Sequence, residues 1–138
     1  MAHGYEIRAH TMLGGRILVL AREGRKDFLE ELDGDPRGSD KFELICRTYE
    51  KIALRGVSKC VGKQNFVRIL EGNLGLVEMK VGKTRIRVMS YLHGAGTGQK
   101  LVLMFEFTGH QGTGKIGKNE LKRGRELASI ARECMEEE

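Results

Sequence analysis

The cations between residues 80 and 87 have a spacing that could do chemistry. If Gly82 and Lys83 form a two-residue turn between two strands, the side chains of Lys80, Arg85 and Arg87 share one face. That turn places Lys80 opposite Arg85, and directly opposed like charges are unfavourable unless an anion lies between them. The pattern is therefore compatible with a phosphate site, although the hairpin taken alone favours ordinary solvated charge on a half-covered sheet.

The same turn predicts the other contacts of this hairpin. Glu78 would lie opposite Arg87 and neutralise it, and the apolar residues of both runs would face the core. The remaining predicted pairs are Val81 with Thr84 and Met79 with Ile86, and the predicted core residues are Val77, Met79, Val81, Ile86 and Val88.

A glycine-rich segment, residues 109–117, brings further functional groups after the last predicted strand. Its match to GxxxxGK ends in Ile116, where a nucleotide-hydrolysing loop needs the hydroxyl of Ser or Thr for magnesium. His110, Lys115 and Lys118 nevertheless supply an imidazole and two ammonium groups near the basic hairpin. A mobile, solvated loop is the alternative interpretation.

The remaining residue types favour chemistry without a metal. The four histidines and three cysteines show no metal-ligand spacing, so we expect neither a metal nor another cofactor. RNA carries its own nucleophile, the 2′-hydroxyl. A protein therefore needs only to align that hydroxyl, stabilise the phosphate charge and transfer protons. Arg, Lys and His side chains can fill each of these roles.

Alternation and helical spacing predict the elements that position these residues. We predict an α+β fold in one domain, residues 1–138, with a small antiparallel sheet. The sheet is a three-strand C-terminal meander plus an N-terminal strand or hairpin. Two N-terminal helices and one C-terminal helix flank it. The predicted segments are strands at 5–12, 16–22 and 100–108, and helices at 25–32, 39–54 (capped by Asp40 and Glu43) and 118–135.

Composition limits the partners and the location. The net charge of +5 over 138 residues, with most of the excess cations between residues 55 and 125, favours a polyanion or an acidic protein as partner. No apolar run reaches the about 18 to 20 residues that span a bilayer, and the first residues lack the order of a signal peptide. We therefore expect a cytoplasmic protein without membrane contact.

Several segments resemble one protein family in the same order along the chain. Residues 70–81 and 85–91 resemble the "L..GLYELRV…YRVLYF" core of RelE/HigB-like toxins, in particular the phage-derived HigB branch. Residues 115–121 resemble the "KTPKKEI" segment of that branch, and residues 27–32 resemble its "EFLESL" helix.

The resemblance implies a RelE-like fold and a toxin of a type II toxin-antitoxin system. Such a toxin is an endoribonuclease, or mRNA interferase, that cleaves messenger RNA on the ribosome by internal attack of the 2′-hydroxyl, without a metal. The implied partners are mRNA and a cognate antitoxin, often with a helix-turn-helix domain. A non-catalytic protein of the same fold that binds RNA or an acidic protein is the alternative.

The motif positions indicate which residues of this chain correspond to the family's site residues. Glu78 and Lys80 match the Glu and Arg of "ELR", Arg87 matches the Arg before "VLYF", and Lys115 and Lys118 match lysines of "KTPKKEI". We expect Arg87, Arg85 and Lys80 to stabilise phosphate charge and His110 or Lys115 to transfer protons. The expected RNA contacts are Lys83, Lys118 and Tyr91.

Three departures weaken the match, of which the first is that Val77 or Leu76 stands in place of the Tyr of "LYELR". Phe105 stands where the branch often has a histidine, and residues 109–113 replace its "KKTQ" stretch. His110 is the candidate to replace the missing histidine, and loss of catalysis stays open.

Overall fold

The computed structural model describes residues 2–12, 15–62, 66–109 and 116–137. These segments contain two strands, three helices, four strands and a final helix in that order, and short 3₁₀ turns at Gly72–Leu74 and Gly96–Gly98 join some of the strands. The elements are β1 (Tyr5–Met12), β2 (Gly15–Arg22), α1 (Phe28–Gly34), α2 (Ser39–Arg55), α3 (Val57–Cys60), β3 (Val67–Glu71), β4 (Leu76–Lys80), β5 (Ile86–His93), β6 (Lys100–Thr108) and α4 (Lys118–Glu136).

The strands form one six-stranded mixed sheet in the order β1-β2-β6-β5-β4-β3. The α+β class and the N-terminal hairpin are confirmed, but the entirely antiparallel sheet with a three-strand meander is wrong. β3 adds a fourth strand to the meander, and β2 pairs in parallel with β6 through Leu18 with Val102 and Val19 with Leu103. This parallel pair arises because the helices cross from the N-terminal hairpin to the rest of the sheet.

The capping box lies on the first helix, α1, whereas the sequence predicted one on the second helix, α2. Asp27 accepts a hydrogen bond from the Glu30 backbone N–H (2.8 Å), and the Glu30 carboxylate accepts one from the Asp27 N–H (3.1 Å). The box expected at Asp40 and Glu43 is wrong, because α2 begins at Ser39, so Asp40 lies inside its first turn and Gly38 holds the cap position without a side-chain bond. Each helix end is therefore set by its local hydrogen bonds rather than by the acidic pattern alone.

Helices cover the sheet on both faces. On one face α1, α2 and α3 bury a core that includes Ile45 and Ile52 of α2 and Leu103 of β6. Tyr49 of α2 donates a hydrogen bond to the Leu101 carbonyl oxygen (2.7 Å), which fixes α2 against the central strand. Each fully buried aliphatic side chain contributes about 1.5–3 kcal/mol, so this face supplies much of the stability.

On the opposite face α4 lies across one end of the meander. Its Leu127, Ala128 and Ala131 are buried against a cluster that includes Leu76 of β4 and Met89 of β5. The approach is close: a Cβ added to Gly124 of α4 would lie 3.0 Å from the Met89 sulfur. α4 agrees with its predicted bounds to one residue, since its apolar residues recur with helical spacing. Within the described segments, no helix combines the length and the apolar character needed to cross a membrane.

Candidate functional site

The loop between β4 and β5 is longer than the predicted two-residue turn. Thr84 donates its backbone N–H (3.2 Å) and its hydroxyl (2.5 Å) to the Val81 carbonyl oxygen, and its hydroxyl accepts the Ile86 N–H (3.1 Å). Val81 in turn donates its N–H to the Ile86 carbonyl oxygen (3.2 Å). Residues 82–85 therefore form a four-residue loop, because the Thr84 hydroxyl offers the backbone an alternative to strand pairing.

The longer loop shifts every predicted cross-strand pair by two residues. Lys80 lies opposite Arg87 instead of Arg85, and Met79 lies opposite Val88 instead of Ile86. Because the shift is even, each side chain keeps its predicted face. The predicted core residues are accordingly confirmed, with four of them buried and Ile86 partly buried: Val77, Met79, Val81 and Val88 are each at most 1% exposed.

Glu78 does not neutralise Arg87, and that prediction is wrong. In the observed register Glu78 lies opposite Met89 on β5 and Arg68 on β3. Its carboxylate is 2.8 Å from Arg68 Nε, and the residue is only 3% exposed. The pairing balances a buried charge inside the sheet, so Glu78 belongs to the structure of the meander.

The guanidinium of Arg87 is held in one position by its own hairpin. Nη1 donates to the carbonyl oxygens of Thr84 (2.7 Å) and Ile86 (2.9 Å). Gly109, which follows β6, donates its N–H to the Arg85 carbonyl oxygen (2.7 Å), and a Cβ on it would lie 3.1 Å from Arg87 Cγ. A guanidinium has five N–H groups. Nη1 carries the two that bond the carbonyl oxygens, and Nε and Nη2 carry the other three.

Lys80 and Arg87 thus form a cross-strand pair of cations at the end of the sheet away from the packed part of α4. Both side chains are partly exposed, whereas Leu76 and Met89 on the same face are buried under α4. Opposed like charges cost roughly 0.2–1 kcal/mol in a sheet. An anion bound between them would relieve that repulsion.

Aromatic residues next to this pair were not predicted to belong to the site. Phe107 of β6 lies directly opposite Arg87 on the same face, and its ring centroid is 6.3 Å from that of Phe105. The Arg123 guanidinium of α4 lies over the Phe105 ring at 4.3 Å. These residues, with Asn119 and others, line a cavity of about 580 Å³. An apolar strand such as β6 gives no sign in sequence of which helix residue will cover it.

Apart from Tyr91, the other predicted site residues lie in the β4–β5 loop, at the first position of α4, or outside the described residues. Arg85 and Lys83 are exposed in the β4–β5 loop, and Lys118 is exposed at the first position of α4. His110 and Lys115 lie outside the described residues. Gly109, the last described residue before that segment, donates its N–H to the Arg85 carbonyl oxygen (2.7 Å).

Tyr91 is not brought beside Arg87. It lies four residues further along β5, about 13 Å away at strand spacing, and is only 4% exposed beneath α4. Burial raises the pKa of its phenol, and its hydroxyl is 2.9 Å from His93 Nδ1. With Arg132 and Glu136 it lines a separate cavity of about 270 Å³. A contact with RNA at Arg87 is therefore out of its reach.

A second cluster of polar residues lies at the β1 edge of the sheet. His10 Nε2 is 2.5 Å from Asp27 Oδ2, and both lie within 4.8 Å of a carboxylate oxygen of Glu30, which is a spacing that could hold a metal ion. Arg8 already bonds Glu30 (2.8 Å) and lies 3.9 Å from Asp27. The Asp27 side chain is fully buried and caps α1, so the cluster secures the first helix to β1.

Comparison of the chain with protein-family models, curated proteins and solved structures finds no match.

Proposed function

We propose that the chain is a toxin-like endoribonuclease, an mRNA interferase of the RelE/HigB-like type, that cleaves RNA through the 2′-hydroxyl without a metal. One observation carries the proposal: Arg87 is fixed by two carbonyl oxygens and lies opposite Lys80 on the part of the sheet face that α4 leaves accessible. The resemblance of residues 70–91 to the toxin core supports the same site.

Attack of the 2′-hydroxyl places extra negative charge on the phosphate oxygens. Cations held in position before the reaction stabilise that charge without reorganising, and a fixed guanidinium also gives directed hydrogen bonds. Arg87 supplies the fixed guanidinium and Lys80 a second charge beside it. Arg85 and Lys83, on the adjoining loop, extend the positive surface along the RNA backbone.

Proton transfer is assigned to His110 or Lys115. Gly109, which precedes the segment 110–115 in the chain, bonds the Arg85 carbonyl oxygen (2.7 Å), and a Cβ on it would lie 3.1 Å from Arg87 Cγ. This closeness to the hairpin supports the proposed role of His110 or Lys115. An imidazole or an amine of lowered pKa is a suitable group for taking the proton from the 2′-hydroxyl or giving one to the leaving oxygen.

Phe107 supports binding of a single strand. It lies opposite Arg87 and is partly exposed, so a base next to the bound phosphate can stack on its ring. The proposed partners are mRNA on the ribosome and a cognate antitoxin, possibly of the helix-turn-helix type. The net charge of +5 is consistent with both an RNA and an acidic antitoxin surface.

The test compares four proteins under tight expression: wild type, Arg87→Ala, Arg87→Lys and the control Lys51→Ala, which removes an exposed charge from α2. We expect wild type and the control to stop growth and to cleave message in a translating extract, leaving 2′,3′-cyclic phosphate ends. Loss of one fixed donor lowers such a rate by about 10²–10³, so Arg87→Ala should be slow. Arg87→Lys keeps the charge but loses the fork geometry and should be intermediate.

Equal cleavage by wild type and Arg87→Ala would contradict the assignment of the site. Intact message with all four proteins would reject the nuclease.

A second candidate function is binding of RNA without cleavage. Most of the described site residues are cations that are either fixed by hydrogen bonds or lie on a loop. Cations and an aromatic ring suffice for binding, so these residues favour this second function. Such a protein would bind RNA with an affinity that falls with salt at a slope of about −0.7 per phosphate contacted, and it would release no cleaved product. The same fold could alternatively bind an acidic protein, which would compete with RNA for Lys80 and Arg87.

A further inference from the structure

A crevice opens where β2 and β6 separate. The two strands run parallel, but only Leu18 with Val102 and Val19 with Leu103 are paired. Beyond these pairs β2 continues to Arg22 and leads to α1 on one face, whereas α4, which follows β6, packs on the other face. Open sheets bind ligands outside the carboxyl ends of neighbouring parallel strands whose connections leave to opposite faces.

Cations dominate the lining of this crevice. It is a cavity of about 240 Å³ bounded by Arg22, Arg25, Lys26 and Arg123. Asp27 also lies there, but its fully buried carboxylate is occupied by the α1 cap and by His10. The exposed Glu31 is the other acidic lining residue. The crevice therefore has a positive excess that suits an anion.

Two arginines of the crevice lie next to aromatic rings. The Arg22 guanidinium lies 5.4 Å from the Tyr5 ring centroid, and its Nε donates to the Tyr5 hydroxyl (3.1 Å). The Arg123 guanidinium lies 4.3 Å over Phe105. A guanidinium over a ring, as Arg123 is over Phe105, can take a nucleobase on its other side while its N–H groups bond a phosphate.

The crevice also adjoins the site at Arg87. Phe105 and Arg123 line both the crevice and the larger cavity that contains Phe107. Phe105 is two residues along β6 from Phe107, and the crevice lies on the far side of β6 from Arg87. At ordinary sheet spacings these steps are about 7 Å along the strand and about 5 Å across it.

We infer that the crevice binds a nucleotide of the same single-stranded RNA, a short distance along the strand from the phosphate at Arg87. Arg22, Arg25 and Lys26 bind the phosphate of that nucleotide, and its base stacks on the Arg123 and Phe105 pair. The identity of the ligand as RNA rests on the proposed function, whereas the anion site rests on the crevice alone.

The experiment measures binding of fluorescent RNA oligonucleotides of two to ten nucleotides whose 2′-hydroxyls are replaced by hydrogen, so that no cleavage occurs. The test variant is Arg25→Ala with Lys26→Ala, because both side chains are exposed and their loss spares the core. The matched control is Arg37→Ala with Lys51→Ala, which removes the same charge from the α2 side of the molecule.

We expect the test variant to bind the longest oligonucleotides about tenfold more weakly than the control, and to bind the shortest ones equally well. Its dependence of log affinity on log salt should be shallower by about 1.4, the value for two lost phosphate contacts on a single strand. Affinity and salt slope equal to those of the control at every length would overturn the inference.

The two proposals fail in distinguishable ways. If the chain does not bind RNA at Arg87, Arg87→Ala binds every oligonucleotide like wild type, while the crevice variant loses affinity at every length. If the crevice plays no part, Arg87→Ala loses affinity and the crevice variant does not.

Discussion

Gly75 is the position where the structure makes the sharpest prediction about stability. It has a left-handed backbone, with φ of 68°, and it joins the 3₁₀ turn to β4. A Cβ added there would lie 2.7 Å from the Leu92 carbonyl oxygen and 2.8 Å from Tyr91 Cε1. Neither atom can move freely, because Leu92 donates its own N–H to the Gly75 carbonyl oxygen (2.8 Å) and the Tyr91 ring is buried.

Gly82 provides a matched control. It also has a left-handed backbone, with φ of 55°, but a Cβ there would meet no atom within 4 Å. At both positions the left-handed conformation of an alanine lowers the free energy of unfolding by about 1–2 kcal/mol. The less flexible unfolded chain offsets about 0.4–1 kcal/mol of this loss. The net cost at Gly82 is therefore about 1 kcal/mol. At Gly75 the steric conflict adds about 1–3 kcal/mol, which gives a total of about 3 kcal/mol.

Urea unfolding of wild type, Gly75→Ala and Gly82→Ala measures the two costs. We expect a lower midpoint for both variants with an unchanged m-value, and a loss of free energy of unfolding about three times larger for Gly75→Ala. Equal losses would refute the close packing of the turn against β5. A Gly82→Ala loss larger than that of Gly75→Ala would refute the conformation of both glycines.

Two further predictions concern buried polar groups. Arg68→Ala should lower the free energy of unfolding by about 3–5 kcal/mol, because it removes the arginine that pairs with the 3% exposed Glu78 carboxylate. Replacing both residues with Met should restore most of this loss. A loss below about 1 kcal/mol for Arg68→Ala in urea unfolding would contradict the pairing. Burial, together with the nearby Glu50 and Asp33 carboxylates, raises the pKa of the Cys46 thiol from 9.0 to about 11. The folded state therefore holds the thiol proton more tightly, and stability from this group is complete below pH 9 and falls as the pH rises toward 11. Urea unfolding at pH 8 and pH 10.5 should show a smaller pH-dependent loss for Cys46→Ala than for wild type, and an equal loss would contradict the shift.

The sequence predicts well those elements whose periodicity is strong and local. β6 and α4 agree with their predicted bounds to within one residue because each has a long apolar pattern of one period. β3 and α3 could not be predicted, since five and four residues carry too short a pattern and each is stabilised by its neighbours. The parallel pairing of β2 with β6 depends on residues far apart in the chain, and local patterns contain no information about it.

The candidate site could also be predicted only in part, because some of its features follow from local pattern and others from three-dimensional packing. Alternation alone placed Lys80 and Arg87 on one face, and the structure confirms this. The register that pairs them depends on the hydroxyl of Thr84, which adds two residues to the turn. The contribution of Arg123 depends on how α4 crosses β6, so only the three-dimensional packing brings its guanidinium onto Phe105. Tyr91 shares a strand with Arg87, but distance along that strand separates the two side chains.

The place of β6 at the centre of the sheet also determines when the molecule can become functional during its synthesis. β6 is made after the other five strands, yet it is the strand that joins the N-terminal hairpin to the meander. Until residues 100–108 have left the ribosome, β2 and β5 each lack the neighbour that separates them in the finished sheet, and Arg87 lacks Phe107. Pairings between distant segments form slowly and only after the last partner is available. A nascent chain that stops before β6 therefore has neither the complete core nor the paired surface, and any activity at Arg87 requires that β6 has already been made.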